Sequence, residues 1–246
     1  MIIKGAEPFF FPGGEEGVLL VHGFTGSPAE LLLCGEFLNR AGFTVLAVRL
    51  AGHGTNEKDL MRMTKEDWFD SVADGYAILK NFCKKIFVVG HSMGALLSLK
   101  ISRLKEVEKI VTIAAPIFID ENSGLELLPP REECGENFEL RPRRHLENVP
   151  HAANKVYIKM PLISVHELLD LLGEVKDSLP KISAPILIMH AEDDHTAAPK
   201  SADFIFENIG SSDKKILKIP DGGHLLPLTE NREFVFEKIT EFFKRD

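Results

Sequence analysis

Short apolar runs alternate with longer amphipathic segments along most of the chain. Six runs rich in β-branched residues predict strands at residues 18–21, 44–49, 86–90, 110–114, 186–190 and 216–219. Several of these runs are apolar without alternation, which is typical of strands that helices cover on both faces. The pattern therefore predicts an α/β fold in which a mostly parallel sheet carries helices on both faces.

Start signals for helices stand between the predicted strands. Ser27 can cap a helix that runs to about Arg40, with a proline in its first position and Glu30 bonding back to the cap N–H. Thr64 opens a second helix with a similar signal, and Thr229 opens the last one. These helices lie in the connections between strands, as the α/β pattern requires.

The alternation breaks between Pro116 and Pro180. This stretch of about 65 residues has a helical but no strand pattern, and it includes an amphipathic helix with an apolar stripe. The stripe consists of Leu162, Val165, Leu168, Leu169, Leu172 and Val175. The sequence predicts an α/β core of residues 1–115 and 182–246 and a helical insertion at 116–181.

Length and charge narrow the classes of function. The 246 residues fit one α/β domain with an inserted subdomain. With 29 Lys and Arg against 37 Asp and Glu, the net charge is −8, and no basic stripe interleaved with aromatic residues offsets it. Such a chain repels a phosphate backbone, so we expect no nucleic acid partner. One local basic cluster is interpreted as a solvated face, with an anion-binding role at a pocket mouth as the alternative: Arg141, Arg143, Arg144 and His145.

The cysteines and the amino terminus bear on the compartment. Cys34, Cys83 and Cys134 are odd in number, far apart and without a CxxC spacing, so neither a disulfide framework nor a zinc site is indicated. The amino terminus shows no charged segment followed by a long apolar run, and no stretch reaches about 18 uninterrupted apolar residues. We expect a cytoplasmic protein without an integral membrane segment, of undetermined oligomeric state.

The sequence Gly90-His91-Ser92-Met93-Gly94 offers nucleophilic chemistry. It follows a predicted strand directly and precedes a helical pattern. GxSxG in this setting is the nucleophile elbow, in which a tight turn exposes the serine hydroxyl above the sheet. The alternative is that Ser92 only caps the following helix. The strand before it and the helix after it favour the nucleophile.

A serine hydroxyl needs a base, and the base needs an orienting group. His224 follows the strand at 216–219, and a run of carboxylates at 192–194 follows the strand at 186–190. We expect these groups to meet Ser92 at the edge where parallel strands end. His195 is an alternative base, but it stands beside the acid rather than across from it. The residues alone leave the acid open between Asp193 and Asp194, with the glutamate before them as a weaker candidate.

An oxyanion hole would complete the site. In the elbow architecture one amide belongs to the residue after the nucleophile, Met93, and the other to the loop after an early strand, here Phe24. A metal site that includes His190 is an alternative interpretation of the same histidines and aspartates, but no ligand spacing such as HExxH supports it. We expect no metal and no cofactor.

Taken in order, the motifs resemble the bacterial carboxylesterase and monoacylglycerol lipase branch of the α/β-hydrolase superfamily. They are LVHGFTGS at 20–27, GHGT at 52–55, Asp67-Trp68, GHSMG at 90–94, EDDH at 192–195 and Gly223-His224. The resemblance extends from about residue 16 to the carboxyl terminus and is weakest over 116–181. It implies that Asp194 is the acid, because the stretch 194–199 matches the family's acid motif. It also implies that the insertion is a cap over an acyl pocket.

Together these features predict a serine esterase that acts on apolar, uncharged acyl esters through Ser92, His224 and Asp194 and an acyl-enzyme. Hydrolysis of a thioester, an amide or a carbon–carbon bond is the alternative among enzymes. A non-catalytic ligand-binding protein is the alternative outside them. Leu169 and Leu172 line the acyl pocket if the apolar stripe faces it, whereas the same stripe could simply pack its helix onto the core.

Overall fold

The strands form where the apolar runs predict them. A computed structural model of the chain describes residues 1–140, 146, 149, 153 and 155–245, and it contains all six predicted strands with ends within two residues of those expected. The strands are β1 (Phe9–Phe11), β2 (Glu16–Val21), β3 (Thr44–Val48), β4 (Lys85–His91), β5 (Lys109–Ile113), β6 (Phe138–Leu140), β7 (Lys159–Pro161), β8 (Ile186–Ala191) and β9 (Lys214–Ile219). The sequence does not predict β1, β6 and β7, because runs of three residues are too short to show a strand pattern.

A seven-stranded sheet organises the core, in the order β1-β3-β2-β4-β5-β8-β9. β1 pairs antiparallel with β3 at one edge, and every other neighbouring pair in this sheet is parallel. β2, β4, β8 and β9 therefore end at the same edge, and the loops that follow them lie close together. The predicted mostly parallel sheet is confirmed.

Helices cover both faces of the sheet. They are α1 (Leu32–Arg40), α2 (Glu57–Met61), α3 (Lys65–Lys80), α4 (Met93–Leu104), α5 (Leu162–Ser178), α6 (Lys200–Asn208) and α7 (Arg232–Lys244). Leu19 of β2 enters a buried cluster with α3 and α4, whereas Leu20 enters a second cluster with α1 and α7. This double cover explains the continuous apolar runs of the strands. Across the described ranges, every helix is too short or too polar to cross a membrane.

The predicted helix starts differ in outcome. Thr64 caps α3 in a capping box, where its side chain accepts from the Asp67 amide and the Asp67 carboxylate accepts from the Thr64 amide. At Ser27 the predicted capping box is wrong, because the Ser27 hydroxyl donates to the Lys155 carbonyl and a short 3-10 turn, Pro28–Leu31, leads into α1. The last helix begins at Arg232 rather than at Thr229, because the backbone of Thr229 is still extended.

The insertion contains strand as well as helix. β6 and β7 pair as an antiparallel two-stranded sheet, and short 3-10 turns at Glu121–Ser123, Leu125–Leu127 and Arg131–Glu133 precede them. The sequence pattern of the insertion thus predicts its helix but not these two strands. The basic cluster at 141–145 lies outside the described residues, and the division into core and cap stays a prediction.

The long helix of the insertion, α5, packs against the core. Leu171 is fully buried in the cluster that α3 and α4 share, and Leu172 packs against that cluster. The Glu174 carboxylate pairs with Lys65 of α3 at 3.5 Å and with Lys100 of α4 at 3.0 Å. Apolar packing and ion pairs both hold α5 in place.

Candidate active site

Ser92 lies in a strained turn between β4 and α4. Its backbone has φ 54° and ψ −122°, a costly conformation for a residue with a Cβ. The flanking glycines allow this turn, because a Cβ on Gly90 would lie 2.2 Å from the Gly94 carbonyl oxygen and one on Gly94 would lie 2.0 Å from the Val21 carbonyl oxygen. The Ser92 side chain makes no capping hydrogen bond to α4, so it does not serve as the helix cap.

The Ser92 hydroxyl and the Asp194 carboxylate contact opposite nitrogens of one imidazole. Ser92 Oγ lies 2.9 Å from His224 Nε2, and Asp194 Oδ2 lies 2.8 Å from His224 Nδ1. Because an ionised carboxylate can only accept, Nδ1 carries the proton and Nε2 is left to accept from the hydroxyl. This is the tautomer that a general base for serine requires. The structure thus brings together three side chains from three distant loops.

The Asp194 carboxylate is buried and engaged on both oxygens. Oδ1 accepts from the Thr196 and Ala197 amides at 2.8 and 3.0 Å, and Oδ2 also lies 3.3 Å from His190 Nε2. Burial by itself raises the pKa of Asp194, but the hydrogen bonds from His190, His224 and the backbone outweigh it and hold this pKa well below its usual range. Asp194 is therefore an ionised acceptor at neutral pH.

The neighbouring carboxylate binds backbone instead. Asp193 accepts from the Gly223 and Gly222 amides at 2.8 and 3.3 Å, in the loop that carries the imidazole. Glu192 and His195 are both exposed. The acid that faces the imidazole is therefore the second aspartate of the pair, while the first secures the loop that presents it.

The loop after β2 lies against Ser92. A Cβ on Gly23 would lie 3.2 Å from Ser92 Cβ, so the next amide of this loop, that of Phe24, is close to the elbow. Met93 opens α4, and the first amide of a helix has no acceptor within that helix. In the part of the chain that the structure describes, neither of these two amides has a hydrogen-bond acceptor. Both are free to donate to an oxyanion, and that role stays a prediction.

Two further buried imidazoles support the backbone near this loop. His22 donates through Nδ1 to the Gly23 carbonyl at 2.9 Å and accepts through Nε2 from the Leu50 amide at 3.1 Å. Burial lowers the pKa of His22 and holds that of His53 well below its usual value, so both rings are neutral. Among the described residues, no group of three or more His, Cys, Asp or Glu side chains is arranged to hold a metal ion.

A buried ion pair, which sequence reasoning missed, lies behind the elbow. Glu30 is 4% exposed and His91 is 2% exposed. Glu30 Oε1 lies 3.0 Å from His91 Nδ1 and accepts from the Gly23 amide at 2.5 Å. His91 Nε2 lies 2.8 Å from the His224 carbonyl oxygen. The sequence predicts a different role for Glu30, because a glutamate three residues after Ser27 is in the position of the acid of a capping box.

A segment of the insertion contacts the same region. The Tyr157 amide donates to the Thr25 carbonyl at 2.9 Å. The Tyr157 hydroxyl donates to the Gly52 carbonyl at 2.9 Å and accepts from the Thr55 amide at 2.6 Å. This segment therefore joins the loop after β2 to the loop after β3.

The predicted pocket residues Leu169 and Leu172 are both half-buried on α5. Leu172 packs against the core cluster that also contains Met93, the residue after Ser92. Core packing accounts for part of the apolar stripe, and a place on the wall of an acyl pocket stays a prediction for both leucines.

Comparisons with known proteins agree with this geometry. A family model described as serine aminopeptidase, S33, matches residues 15–231. The chain belongs to this family of α/β hydrolases. It is 36% identical over 250 residues to a thermostable monoacylglycerol lipase of Bacillus sp. (strain H-257), covering 99% of this chain and 96% of that one. It is 30% identical over 247 residues to a carboxylesterase of Bacillus subtilis (strain 168), covering 100% and 99%.

A solved structure shows the same overall fold. It comes from work on two metagenome-derived lipolytic enzymes, LipS and LipT, and it shares 27% sequence identity and a TM-score of 0.90 with this chain over 100% of both chains. The relatives confirm the predicted α/β-hydrolase fold, the lipase and esterase branch and the predicted enzyme class, a carboxylic ester hydrolase. The description of the matching family as aminopeptidases favours amide hydrolysis among the alternative activities that the sequence leaves open.

Proposed function

We propose that this α/β hydrolase cleaves uncharged esters with apolar acyl groups, monoacylglycerols among them, through Ser92, His224 and Asp194. The observation that carries the proposal is the single imidazole whose nitrogens lie 2.9 Å from the serine hydroxyl and 2.8 Å from the carboxylate. The 36% identity to a monoacylglycerol lipase over 99% of the chain supports an acylglycerol as substrate.

Acylation begins when Ser92 Oγ attacks the ester carbonyl carbon and His224 Nε2 takes the hydroxyl proton. The imidazolium that forms is stabilised by Asp194, which stays ionised because its pKa is held far below its usual range. Negative charge develops on the former carbonyl oxygen, where the Phe24 and Met93 amides donate to it. The intermediate collapses as His224 gives its proton to the leaving alcohol, and the acyl group remains on Ser92.

Deacylation repeats the same steps with water. His224 takes a proton from a water molecule as that water attacks the acyl carbonyl carbon. The two amides stabilise the second oxyanion. The imidazolium then returns the proton to Ser92 Oγ, and the carboxylic acid is released.

Amide hydrolysis is the second candidate, because the matching family is described as serine aminopeptidases. An aminopeptidase must also bind the α-ammonium group of its substrate, and a desolvated ammonium group requires a carboxylate partner. The two buried carboxylates among the described residues, Glu30 and Asp194, are already paired with His91 and His224. An ester needs no such partner and therefore fits this site better.

Activity of the wild type and of Ser92→Ala tests the proposal. We expect the wild type to hydrolyse p-nitrophenyl esters from acetate to palmitate and neutral monoacylglycerols, and to react with a fluorophosphonate probe. Ser92→Ala should lose about 10⁴-fold or more of the esterase rate while its melting curve is unchanged. Aminoacyl p-nitroanilides serve as the amide arm. A folded wild type without ester turnover or probe labelling would support a binding protein, and faster cleavage of the anilides would support the peptidase.

A further inference from the structure

His91 has an acceptor at each ring nitrogen. Its Nδ1 faces the Glu30 carboxylate at 3.0 Å, and its Nε2 faces the His224 carbonyl oxygen at 2.8 Å. Neither a carboxylate nor a carbonyl can donate, so both contacts are hydrogen bonds only if both nitrogens carry protons. In this geometry His91 is an imidazolium, and it forms a buried ion pair with Glu30.

The surroundings of the pair agree with two opposite charges. Burial disfavours the charged form of each group, but their mutual attraction outweighs it, so the pKa of His91 lies above its usual value and that of Glu30 lies below. The other titratable groups that face the pair are His22, which lies near Glu30 and is neutral, and Asp194 and His224, which lie beside His91. Asp194 adds a further favourable charge for the imidazolium.

Glu30 also holds the loop after β2. Its Oε1 accepts from the Gly23 amide at 2.5 Å, and a Cβ on Gly26 would lie 2.4 Å from its Oε2. The loop therefore wraps closely around the carboxylate. The amide that follows Gly23 in the chain is that of Phe24, one of the two expected oxyanion donors. The ion pair thus touches the backbone of this loop at residues 22–26, the oxyanion loop, at one end and the backbone of His224 at the other.

We propose that Glu30 and His91 are positioning residues, which together hold the oxyanion loop and the His224 backbone in place around Ser92. The inference rests on the proposed function. Neither side chain contacts the reacting atoms, so their effect runs through the backbone groups that they bind. Misplacing an oxyanion donor and the base by a fraction of an ångström weakens transition-state contacts more than substrate binding. The pair is therefore expected to affect kcat and to leave KM largely unchanged.

Glu30→Gln is the principal test, because it keeps the shape and an acceptor for the Gly23 amide but removes the charge. His91 then becomes neutral and can donate from only one nitrogen. We expect kcat on p-nitrophenyl butyrate to fall by about 10- to 100-fold, below the 10²- to 10³-fold cost of losing a whole oxyanion donor, with KM changed by less than about threefold. The affinity for a boronic acid analogue of the transition state should fall by the same factor as kcat/KM. Glu108→Gln removes an exposed carboxylate near Lys85 at the opposite end of β4 and should leave both quantities unchanged.

Wild-type NMR tests the charge state even if the variant does not fold. In ¹H–¹⁵N spectra assigned through bonds, both ring nitrogens of His91 should carry protons at neutral pH. A His91 ring with a single proton there would overturn the inference.

The pH dependence of stability gives a readout that a neutral structural contact would not move. The contribution of Glu30 to the free energy of unfolding is present above its ordinary pKa of 4.5. It is lost as the pH falls through the lowered pKa that Glu30 has in the folded protein. The contribution of His91 is present below its ordinary pKa of 6.5 and is lost as pH rises through its raised folded value. The difference in melting temperature between wild type and Glu30→Gln should therefore be largest between pH 4.5 and pH 6.5, the two ordinary pKa values, and shrink above neutral pH.

The outcomes separate this inference from the proposed function. A wild type that neither turns over esters nor reacts with a fluorophosphonate probe refutes the proposed function. If the wild type is active and Glu30→Gln keeps the wild-type kcat and analogue affinity, or shows a melting difference independent of pH, only the positioning role is refuted.

Discussion

Asp194→Asn distinguishes two adjacent carboxylates that bind different parts of one loop. Oδ1 of Asp194 accepts from the Thr196 and Ala197 amides at 2.8 and 3.0 Å, so the amide oxygen of an asparagine must stay on that side. Its NH₂ group then takes the place of Oδ2, which lies 2.8 Å from His224 Nδ1. Two donors cannot face each other, so the ring moves its proton to Nε2. In that tautomer it can no longer accept the proton of Ser92.

The magnitude follows from the tautomer. A comparable exchange in a serine protease costs about 10⁴ in kcat, which corresponds to about 5.4 kcal/mol at about 1.36 kcal/mol per factor of ten. Asp193→Asn keeps an oxygen that can accept from the Gly223 amide, which lies at 2.8 Å in the wild type, but it loses the charge of that contact and the longer contact, at 3.3 Å, with the Gly222 amide. We expect kcat of this variant to fall by less than about tenfold, which corresponds to roughly 1.4 kcal/mol of activation free energy. The two variants should thus differ by at least about 10³ in kcat.

Both variants can be compared under one assay. The kcat for p-nitrophenyl butyrate at slightly alkaline pH measures the chemical consequence, and far-ultraviolet circular dichroism with thermal melting shows that each protein is folded. Asp193→Asn is the matched control, since it makes the same chemical change one residue away. Equal losses in the two folded variants, or a larger loss in Asp193→Asn, would refute the reasoning and assign the orienting role to Asp193.

Other substitutions test the elbow, the insertion contact and the apolar stripe. Gly94→Ala places a Cβ 2.0 Å from a backbone oxygen of β2 and should lower the free energy of unfolding, measured in urea, by more than about 4 kcal/mol. Gly173→Ala lies in open space on α5 and should raise the same free energy by about 0.5–1 kcal/mol. Tyr157→Phe loses contacts with two backbone groups beside the site and should lower the unfolding free energy by about 2–3 kcal/mol and change KM for esters. Tyr76→Phe loses one contact elsewhere and should leave KM unchanged. Leu172→Trp should slow palmitate esters and spare acetate if the side chain lines the acyl pocket, and an equal loss on both with a lower melting temperature would indicate core packing.

The sheet could be predicted because its physics is local to each strand. A strand buried on both faces needs apolar side chains at every position, so an apolar run such as residues 86–89 predicts the position of its strand. β1 lies at the sheet edge and has only three residues, so its Phe9–Phe11 run resembles any short apolar stretch. β6 and β7 are equally short and form a small two-stranded sheet with each other. Their formation depends on tertiary context that no local pattern records.

The contacts between side chains at the candidate site could also be predicted from the sequence. Nucleophilic chemistry with serine needs an imidazole and a carboxylate, and the strand ends that bear His224 and Asp194 lie at one edge of a parallel sheet. The choice between Asp193 and Asp194 could not be made from the residues, because both follow the same strand. In the structure the Thr196 and Ala197 amides bind one oxygen of Asp194, and its other oxygen faces the His224 ring.

The supporting contacts escaped prediction for a different physical reason. Glu30, His91 and Asp193 each bind backbone: the Gly23 amide, the His224 carbonyl, and the Gly222 and Gly223 amides. Backbone groups are the same at every residue, so a side chain that holds a loop in this way leaves no matching partner in the sequence. Yet loops rich in glycine, such as those after β2 and β9, have much conformational freedom to lose on folding. A base and an oxyanion donor carried on such loops need side chains that fix the backbone, and charged groups form the strongest hydrogen bonds available for that purpose. It follows that charged residues beside glycine-rich loops, rather than further members of a motif, are where positioning residues of this site should be sought.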